Sequence, residues 1–221
     1  SRFVAKPANG SGGGGILVVG EWDAERHGWR KAGGGEVTPL QLSRHLADVV
    51  FGVHSNQLED RAFVEERVEP HPVFEALWTD GLCDVRVIVL RGRPVMSMIR
   101  VPTAESGGRA NLHQGGLGIA VDLETGRTFR ALHRGTAIER HPESGAPLVG
   151  IALPAWPEVL DVARRAALAV PLGYLGVDVV VDREKGPLVL EINARPGLEI
   201  QNVNGRGLGP ETVLVRRSTL E

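Results

Sequence analysis

Three side chains near the carboxyl end of the chain have the chemical types of a divalent-cation site: Asp178, Glu191 and Asn193. Carboxylate and amide oxygens are the ligands that Mg²⁺ prefers in proteins. Asp178 lies within a run of valines and Glu191 lies between leucine and isoleucine, so both strands are predicted to be buried. Because a buried, unpaired carboxylate is costly, a bound cation is favoured over the alternative of a solvated acidic face. The sequence predicts Mg²⁺, which Mn²⁺ could replace.

The element that must position these side chains is a β-hairpin over residues 178–195. Two apolar runs rich in β-branched residues lie on either side of Arg183-Glu-Lys-Gly, which is typical of two strands and a turn. If Asp182 pairs with Pro187 across the turn, Asp178 lies opposite Glu191, at about 5.5 Å between Cα atoms. A register slip of one residue would turn Glu191 to the opposite face.

A second candidate is the glycine-rich loop over residues 7–15, between strands predicted at 3–6 and 16–19. Consecutive glycines let backbone N–H groups surround phosphate oxygens, and Lys6 adds a point charge just before them. The ending of a Walker loop is missing. The alternative is a flexible hairpin loop with a surface lysine.

The segment from Arg109 to Gly116 is the third candidate. An extended backbone would place Arg109, Asn111 and His113 on one face. Arginine suits a developing phosphate charge, and an asparagine amide can donate to an oxyanion. The alternative is a polar loop with a solvated histidine.

Asp84, Arg86 and Arg100 form a fourth group. A three-residue turn at 91–93 would place Asp84 opposite Arg100, and Arg86 opposite Met98. Either this is a cross-strand ion pair worth less than about 1 kcal/mol if exposed, or an arginine is held for a substrate carboxylate or phosphate.

The fifth candidate, residues 64–68, has the pattern of an edge strand whose backbone could bind an adenine. Glu65 would accept from the exocyclic amine. The alternative is a charged edge that blocks extension of the sheet.

Composition excludes several classes of protein. The net charge of −2 gives no attraction for nucleic acid or anionic membranes. Cys83 is the only cysteine, which excludes an internal disulfide and fits a reducing, cytoplasmic compartment. No apolar run approaches the roughly 20 residues that cross a bilayer, and no signal peptide is visible. Since the chain opens without Met and within a predicted strand, we expect a fragment.

The remaining pattern predicts an α+β chain in two lobes that join near residues 65–75. Thr38-Pro39 is a helix start, with Thr as N-cap. Hairpins are predicted over 84–101 and 117–132, and a helix over 157–174. Residues 21–37, polar and glycine-rich, are predicted to be a mobile excursion.

The order of these motifs resembles the ATP-grasp superfamily over nearly the whole chain. The resemblance is closest to the glutamate-ligase branch, which holds the ribosomal-protein glutamate ligases and the α-L-glutamate ligase-like proteins. The matching strings are Asp84-Val-Arg86, Arg109-Ala-Asn-Leu-His-Gln-Gly115 and Glu191-Ile-Asn-Ala-Arg-Pro-Gly197.

The resemblance implies an ATP-grasp fold, in which two α+β lobes grip ATP. The smaller lobe would span residues 1–70 and the larger lobe residues 71–221. One or two Mg²⁺ would bind Asp178, Glu191 and Asn193. The phosphates would bind Lys6, Gly10, Ser11, Gly12, Gly13 and Gly14, and adenine would bind Glu65, Glu66, Arg67 and Val68. The catalytic candidates are Arg109, Asn111, His113 and Arg100, and Arg86, Arg100 and Arg195 could orient substrate carboxylates.

The implied activity is an ATP-dependent carboxylate–amine ligase that works through an acylphosphate. Its partners would be ATP, a small carboxylate or an amino acid such as glutamate, and an amine acceptor that is an amino acid, a peptide or a protein. No nucleic-acid or membrane partner is expected, and a homo-oligomer stays open. The alternatives are an ATP-grasp phosphotransferase, a sugar-modifying enzyme and a non-catalytic ATP-binding protein. Family members carry an N-terminal domain and a further phosphate-contacting lysine ahead of this segment, so we expect an incomplete enzyme.

Overall fold

A computed structural model describes residues 2–9, 14–31 and 34–209. The chain divides into two units, Ser1–Val68 and Glu69–Glu221. In the described part of the chain, no helix has the length and apolar character needed to cross a membrane.

The first unit is one antiparallel sheet with one helix. Its strands lie in the order β4-β3-β2-β1-β5. Helix α1 starts with the predicted cap: Gln41 N donates to the side chain of Thr38, and the Gln41 side chain accepts from Thr38 N. The elements are β1 (Phe3–Pro7), β2 (Leu17–Asp23), β3 (Gly28–Lys31), β4 (Glu36–Val37), α1 (Pro39–Val50) and β5 (Ala62–Glu66).

No strand was predicted within the excursion over residues 21–37, but β2 continues to Asp23 and the described residues that follow include β3 and β4. Trp22 pairs with Trp29 across β2 and β3, and their rings meet edge to face at 4.8 Å. This aromatic contact holds the two strands together although the segment is rich in polar residues and glycine.

The second unit is built on a seven-stranded antiparallel sheet in the order β10-β9-β8-β7-β6-β11-β12. The predicted strands of the two middle hairpins are confirmed to within a residue or two. The elements are α2 (Pro72–Glu75), β6 (Asp84–Leu90), β7 (Arg93–Val101), a 3₁₀ turn (Leu112–Gln114), β8 (Leu117–Val121), β9 (Thr128–His133), β10 (Thr136–Ile138), α3 (Trp156–Leu168), β11 (Tyr174–Asp182), β12 (Gly186–Asn193) and α4 (Glu199–Asn204).

A helix covers each face of this sheet. Val159 and Ala163 of α3 pack in a large core with the alternate residues Val85 and Val87 of β6. Ile200 and Val203 of α4 belong to a smaller core on the other face, with Ile88 of β6. Since strand side chains alternate, Asp84 and Arg86 project toward the α4 face.

The helix predicted over 157–174 ends six residues early, at Leu168. Pro171 explains the difference, because proline lacks an N–H donor and disfavours a helical residue before it. Tyr174 instead begins β11.

Candidate functional site

The β11–β12 hairpin places Asp178 directly opposite Glu191 and Gly176 opposite Asn193. The premise of this prediction was wrong, since Asp182 pairs with Gly186 and not with Pro187. Gly186 has φ +73°, which lets the turn close one residue earlier. A β-bulge between Asp178 and Val179 then shifts the pairing by one residue, so that Asp178 again lies opposite Glu191. The predicted facing pair is therefore present, and we name Asp178, Glu191 and Asn193 the Asp178 cluster.

Asp178 is 1% exposed and accepts four hydrogen bonds. Arg86 donates from Nε to Oδ1 at 2.7 Å and from Nη2 to Oδ2 at 2.7 Å. Arg100 Nη2 donates to Oδ2 at 2.5 Å, and Asn193 Nδ2 donates to the same oxygen at 3.2 Å. A carboxylate oxygen has about two lone-pair positions, so Oδ2 is fully used while Oδ1 keeps one open.

The predicted pairs Asp84–Arg100 and Arg86–Met98 are confirmed. Arg100 donates from Nε and Nη2 to the two oxygens of Asp84, at 2.7 and 2.8 Å. Burial raises the pKa of Asp84 to about 6, although Arg100 opposes the shift. The turn between β6 and β7 is again tighter than predicted: Leu90 pairs with Arg93, and a bulge after Ile88 restores the register.

The prediction that both strands are buried is wrong for β12, because it is an edge strand in which Val189, Leu190 and Glu191 are exposed. Glu191 has no hydrogen-bond or ion-pair partner among the described residues. Together the two carboxylates and the amide of Asn193 form an oxygen-only donor set, which fits a hard cation such as Mg²⁺. Within residues 2–9, 14–31 and 34–209, no group of three or more His, Cys, Asp or Glu is arranged to hold a metal. The fit therefore depends on Asn193 as the third ligand.

The segment from Arg109 to Gly116 does not meet the condition of an extended backbone, on which a shared face for Arg109, Asn111 and His113 depended. Asn111 Oδ1 accepts from His113 N at 3.0 Å, and residues 112–114 form a 3₁₀ turn. Gly115 follows with φ +96°, and its carbonyl oxygen accepts from Thr103 Oγ1 at 2.9 Å. Arg109 and His113 are exposed, so the turn presents them to solvent, and the amide nitrogen of Asn111 stays available as a donor.

A cavity of about 210 Å³ lies beside this turn. Its polar lining comes from His113, Arg134 and Glu199, and its apolar lining includes Leu112, Leu132 and Val203. Arg134 is ion-paired with Glu105 at the surface.

In the first unit, Lys6 and Glu65 contact each other at 2.5 Å, although separate roles were predicted for them. They lie on the adjacent strands β1 and β5, and β5 is the edge of the sheet. An ion pair this exposed is worth at most about 1 kcal/mol, so a ligand could displace it. Glu66 ends β5, and Arg67 and Val68 follow it.

Gly10, Ser11, Gly12 and Gly13 lie outside the described residues, but Asn9 before them and Gly15 after them make contacts. Asn9 donates from N and Nδ2 to the carboxylate of Asp60, at 3.0 and 2.9 Å. The carboxylate also accepts a short hydrogen bond from Ser55.

Gly14 and Gly15 form a turn at the other end of the run. The carbonyl oxygen of Gly15 contacts His45 Nε2 at 2.9 Å, and a Cβ at Gly15 would lie 2.6 Å from the ring of His54. Nothing in the local sequence pattern marks Asp60, His45 or His54 for these contacts.

Comparison with known proteins decides the family. A family model described as sugar-transfer associated ATP-grasp matches residues 1–217. This chain belongs to that ATP-grasp family. The α+β ATP-grasp fold implied by the resemblance is therefore confirmed.

Two curated relatives carry ligase names. The chain is 32% identical over 129 residues to a probable alpha-L-glutamate ligase of Psychromonas ingrahamii. The aligned segment covers 58% of this chain and 32% of that protein. It is 27% identical over 142 residues to a ribosomal-protein L-glutamate ligase of Escherichia coli. That alignment covers 63% of this chain and 36% of that protein. The chain thus spans about a third of the length of these relatives.

A solved structure of the ATP-grasp ligase PsnB, complexed with a minimal precursor, is similar to this chain. The match covers 91% of this chain and 42% of the PsnB chain. The identity is 17% and the TM-score is 0.41.

Proposed function

We propose that this ATP-grasp protein is an ATP-dependent carboxylate–amine ligase that forms an amide bond through an acylphosphate. The observation that carries the proposal is the facing pair Asp178–Glu191 with Asn193 beside it. The relatives named as glutamate ligases support the same reaction class.

In the second unit, Asp178, Glu191 and Asn193 would hold Mg²⁺, or Mn²⁺ in its place. The cation would supply positive charge to the terminal phosphates of ATP. Arg109, exposed beside the 3₁₀ turn, would stabilise charge on the transferred phosphoryl group, and the Asn111 amide would donate to the acyl oxygen. A carboxylate substrate would attack the γ-phosphate, release ADP, and then accept an amine at its acyl carbon with loss of phosphate.

In the first unit, Lys6 and the glycine run would bind the phosphates, while Glu65 and the backbone through Val68 would bind adenine. The contacts of Asn9 and Gly15, on either side of the glycine run, support this role. Phosphate oxygens would replace Glu65 as the partner of Lys6.

An amino acid is the acceptor or donor class that we favour. The cavity beside His113 is lined by Glu199 and by Arg134, whose exposed ion pair with Glu105 a substrate carboxylate would replace. The two side chains would then pair with the two charged groups of an amino acid. This support is independent of the relatives' names.

A second candidate keeps the same nucleotide chemistry but acts on a sugar-bearing substrate. The description of the matching family, sugar-transfer associated, favours it. Product analysis distinguishes the two, because an amino-acid ligase yields ADP, phosphate and a new amide without a sugar.

The test is an ADP-release screen of the full-length protein against amino acids, peptides and amino sugars, with products identified by mass spectrometry. We expect ADP release that requires both an acid and an amine, and no release by Glu191→Gln. A stable phosphorylated product, or ATP binding without any acceptor-dependent release, would refute the ligase.

A further inference from the structure

A buried network of four charges lies on the α4 face of the second unit, across the adjacent strands β7, β6 and β11. Asp84, Arg86 and Asp178 are 3%, 9% and 1% exposed, and the side chain of Arg100 is 15% exposed. Two carboxylates and two guanidinium groups balance, so the network is neutral. We call these four residues the charge network.

Arg100 is shared between two carboxylates. It makes a two-point contact with Asp84, at 2.7 and 2.8 Å, and a single contact with Asp178, at 2.5 Å. Arg86, by contrast, makes its two-point contact with Asp178. Arg100 would therefore keep its ion pair with Asp84 if Asp178 gained another partner.

Oδ1 of Asp178 keeps one open lone-pair position, and a cation bound there would compete with the guanidinium groups for the charge of the same carboxylate. Oδ2 of Asp178 already accepts from Arg86, Arg100 and Asn193, which exceeds its two lone-pair positions. The donor that can leave at least cost is Arg100, since Asp84 already holds it.

We propose that Asp84 is a positioning residue that sets the cation affinity of the Asp178 cluster by competing with Asp178 for Arg100. The inference rests on the proposed function, which supplies the cation site. Asp84 itself contacts neither cation nor substrate. Its charge gives Arg100 a second carboxylate partner, besides Asp178, and lowers the positive potential at the cluster.

The competition makes opposite predictions for the two members of the Asp84–Arg100 pair. Asp84→Asn removes the negative charge and leaves Arg100 to Asp178 alone, so Mn²⁺ affinity should fall by about tenfold or more. Arg100→Gln removes one of the two guanidinium groups that contact Asp178, so Mn²⁺ affinity should rise. The double variant restores the charge balance and should bind within about threefold of wild type, and the double-mutant cycle would then show that the two residues are coupled.

The experiment measures binding of Mn²⁺ alone to the full-length protein by electron paramagnetic resonance, with thermal melting of each variant. Glu75→Gln is the matched control, because it removes the same charge from the exposed ion pair Glu75–Arg183 of the same unit and should leave affinity unchanged. Asp84→Glu keeps the charge and should retain most of the affinity.

The outcomes separate the two claims. If Glu191→Gln loses Mn²⁺ while Asp84→Asn binds as wild type, the role of Asp84 is wrong and the cation site stands. If Arg100→Gln lowers affinity together with its melting temperature, the network is only structural. If that variant does not fold, equal losses in Asp84→Asn and Asp84→Glu would likewise show a purely structural network. Wild-type protein that binds no Mn²⁺ would overturn both proposals.

Discussion

Replacing Gly176 by alanine should displace the segment that follows β12. Gly176 lies in β11 opposite Asn193. A Cβ at this position would lie 2.6 Å from Cβ and 3.3 Å from Cγ of Pro196. Pro196 is buried, and its ring cannot rotate out of the way because it is closed onto the backbone. The backbone from Asn193 to Pro196 must therefore shift.

The size of the effect follows from two opposing terms. Inserting a methyl group into a packed site typically costs about 1–3 kcal/mol. Removing a glycine from the unfolded chain returns about 0.4–1 kcal/mol. The net loss of unfolding free energy is then about 1–2 kcal/mol. At about 2–4 °C per kcal/mol for a domain of this size, Gly176→Ala should melt several degrees below wild type and bind Mn²⁺ more weakly.

Two glycines in the same region serve as controls. A Cβ at Gly173 would meet only Cγ of Arg91, at 3.9 Å, and a Cβ at Gly197 would meet nothing within 4 Å. Both alanine variants should melt at or slightly above the wild-type temperature in differential scanning fluorimetry. Wild-type melting and Mn²⁺ binding by Gly176→Ala would show that Pro196 does not position the Asp178 cluster.

Three further substitutions test the proposed roles. Glu191→Gln should lose Mg²⁺-dependent ATP binding in calorimetry, and unchanged affinity would count against the cation site. Arg109→Ala should keep ATP affinity but lower turnover by about 10²-fold or more, so wild-type ADP release would exclude its role. The hydrogen bond from Ser55 is the largest of the contacts that lower the pKa of Asp60 from 3.8 to about 2. The stability that Asp60 contributes is complete above pH 3.8 and lost as the pH falls through 2. Asp60→Asn should therefore be less stable at pH 7 and respond less to acid in urea melts, and an unchanged pH profile would refute the role of these contacts.

Local patterns were sufficient to predict which residues of the two hairpins face each other, but not their turns. Both turns close one residue earlier than expected, at Gly186 and at Arg91-Gly92, where φ is positive. In both hairpins a β-bulge then restores the predicted pairing. A buried face fixes the register away from the turn, since a slip of one residue would expose the apolar side chains.

Partners distant in sequence could not be predicted in this way. Arg86 and Asp178 are 92 residues apart, and Asn9 and Asp60 are 51 apart. No periodicity links such residues, and their contacts depend on strand order. The motif resemblance identified the candidate ligands, but only the sheet order shows that two arginines already occupy Asp178.

That occupation predicts that the cation serves the nucleotide and not the fold. Asp178 is already neutralised by Arg86 and Arg100, so removing a cation leaves no unpaired buried charge, whereas loss of a structural metal unfolds small metal domains. Because the charge network is neutral, Glu191 leaves the Asp178 cluster with one net negative charge, which repels the phosphates of free ATP. We therefore expect a chelator to leave the melting temperature of the nucleotide-free protein unchanged. The same chelator should abolish the stabilisation that ATP gives by mass action. Melting at a lower temperature in chelator without nucleotide would show that the cation stabilises the hairpin. It would also show that the charge network cannot substitute for the cation.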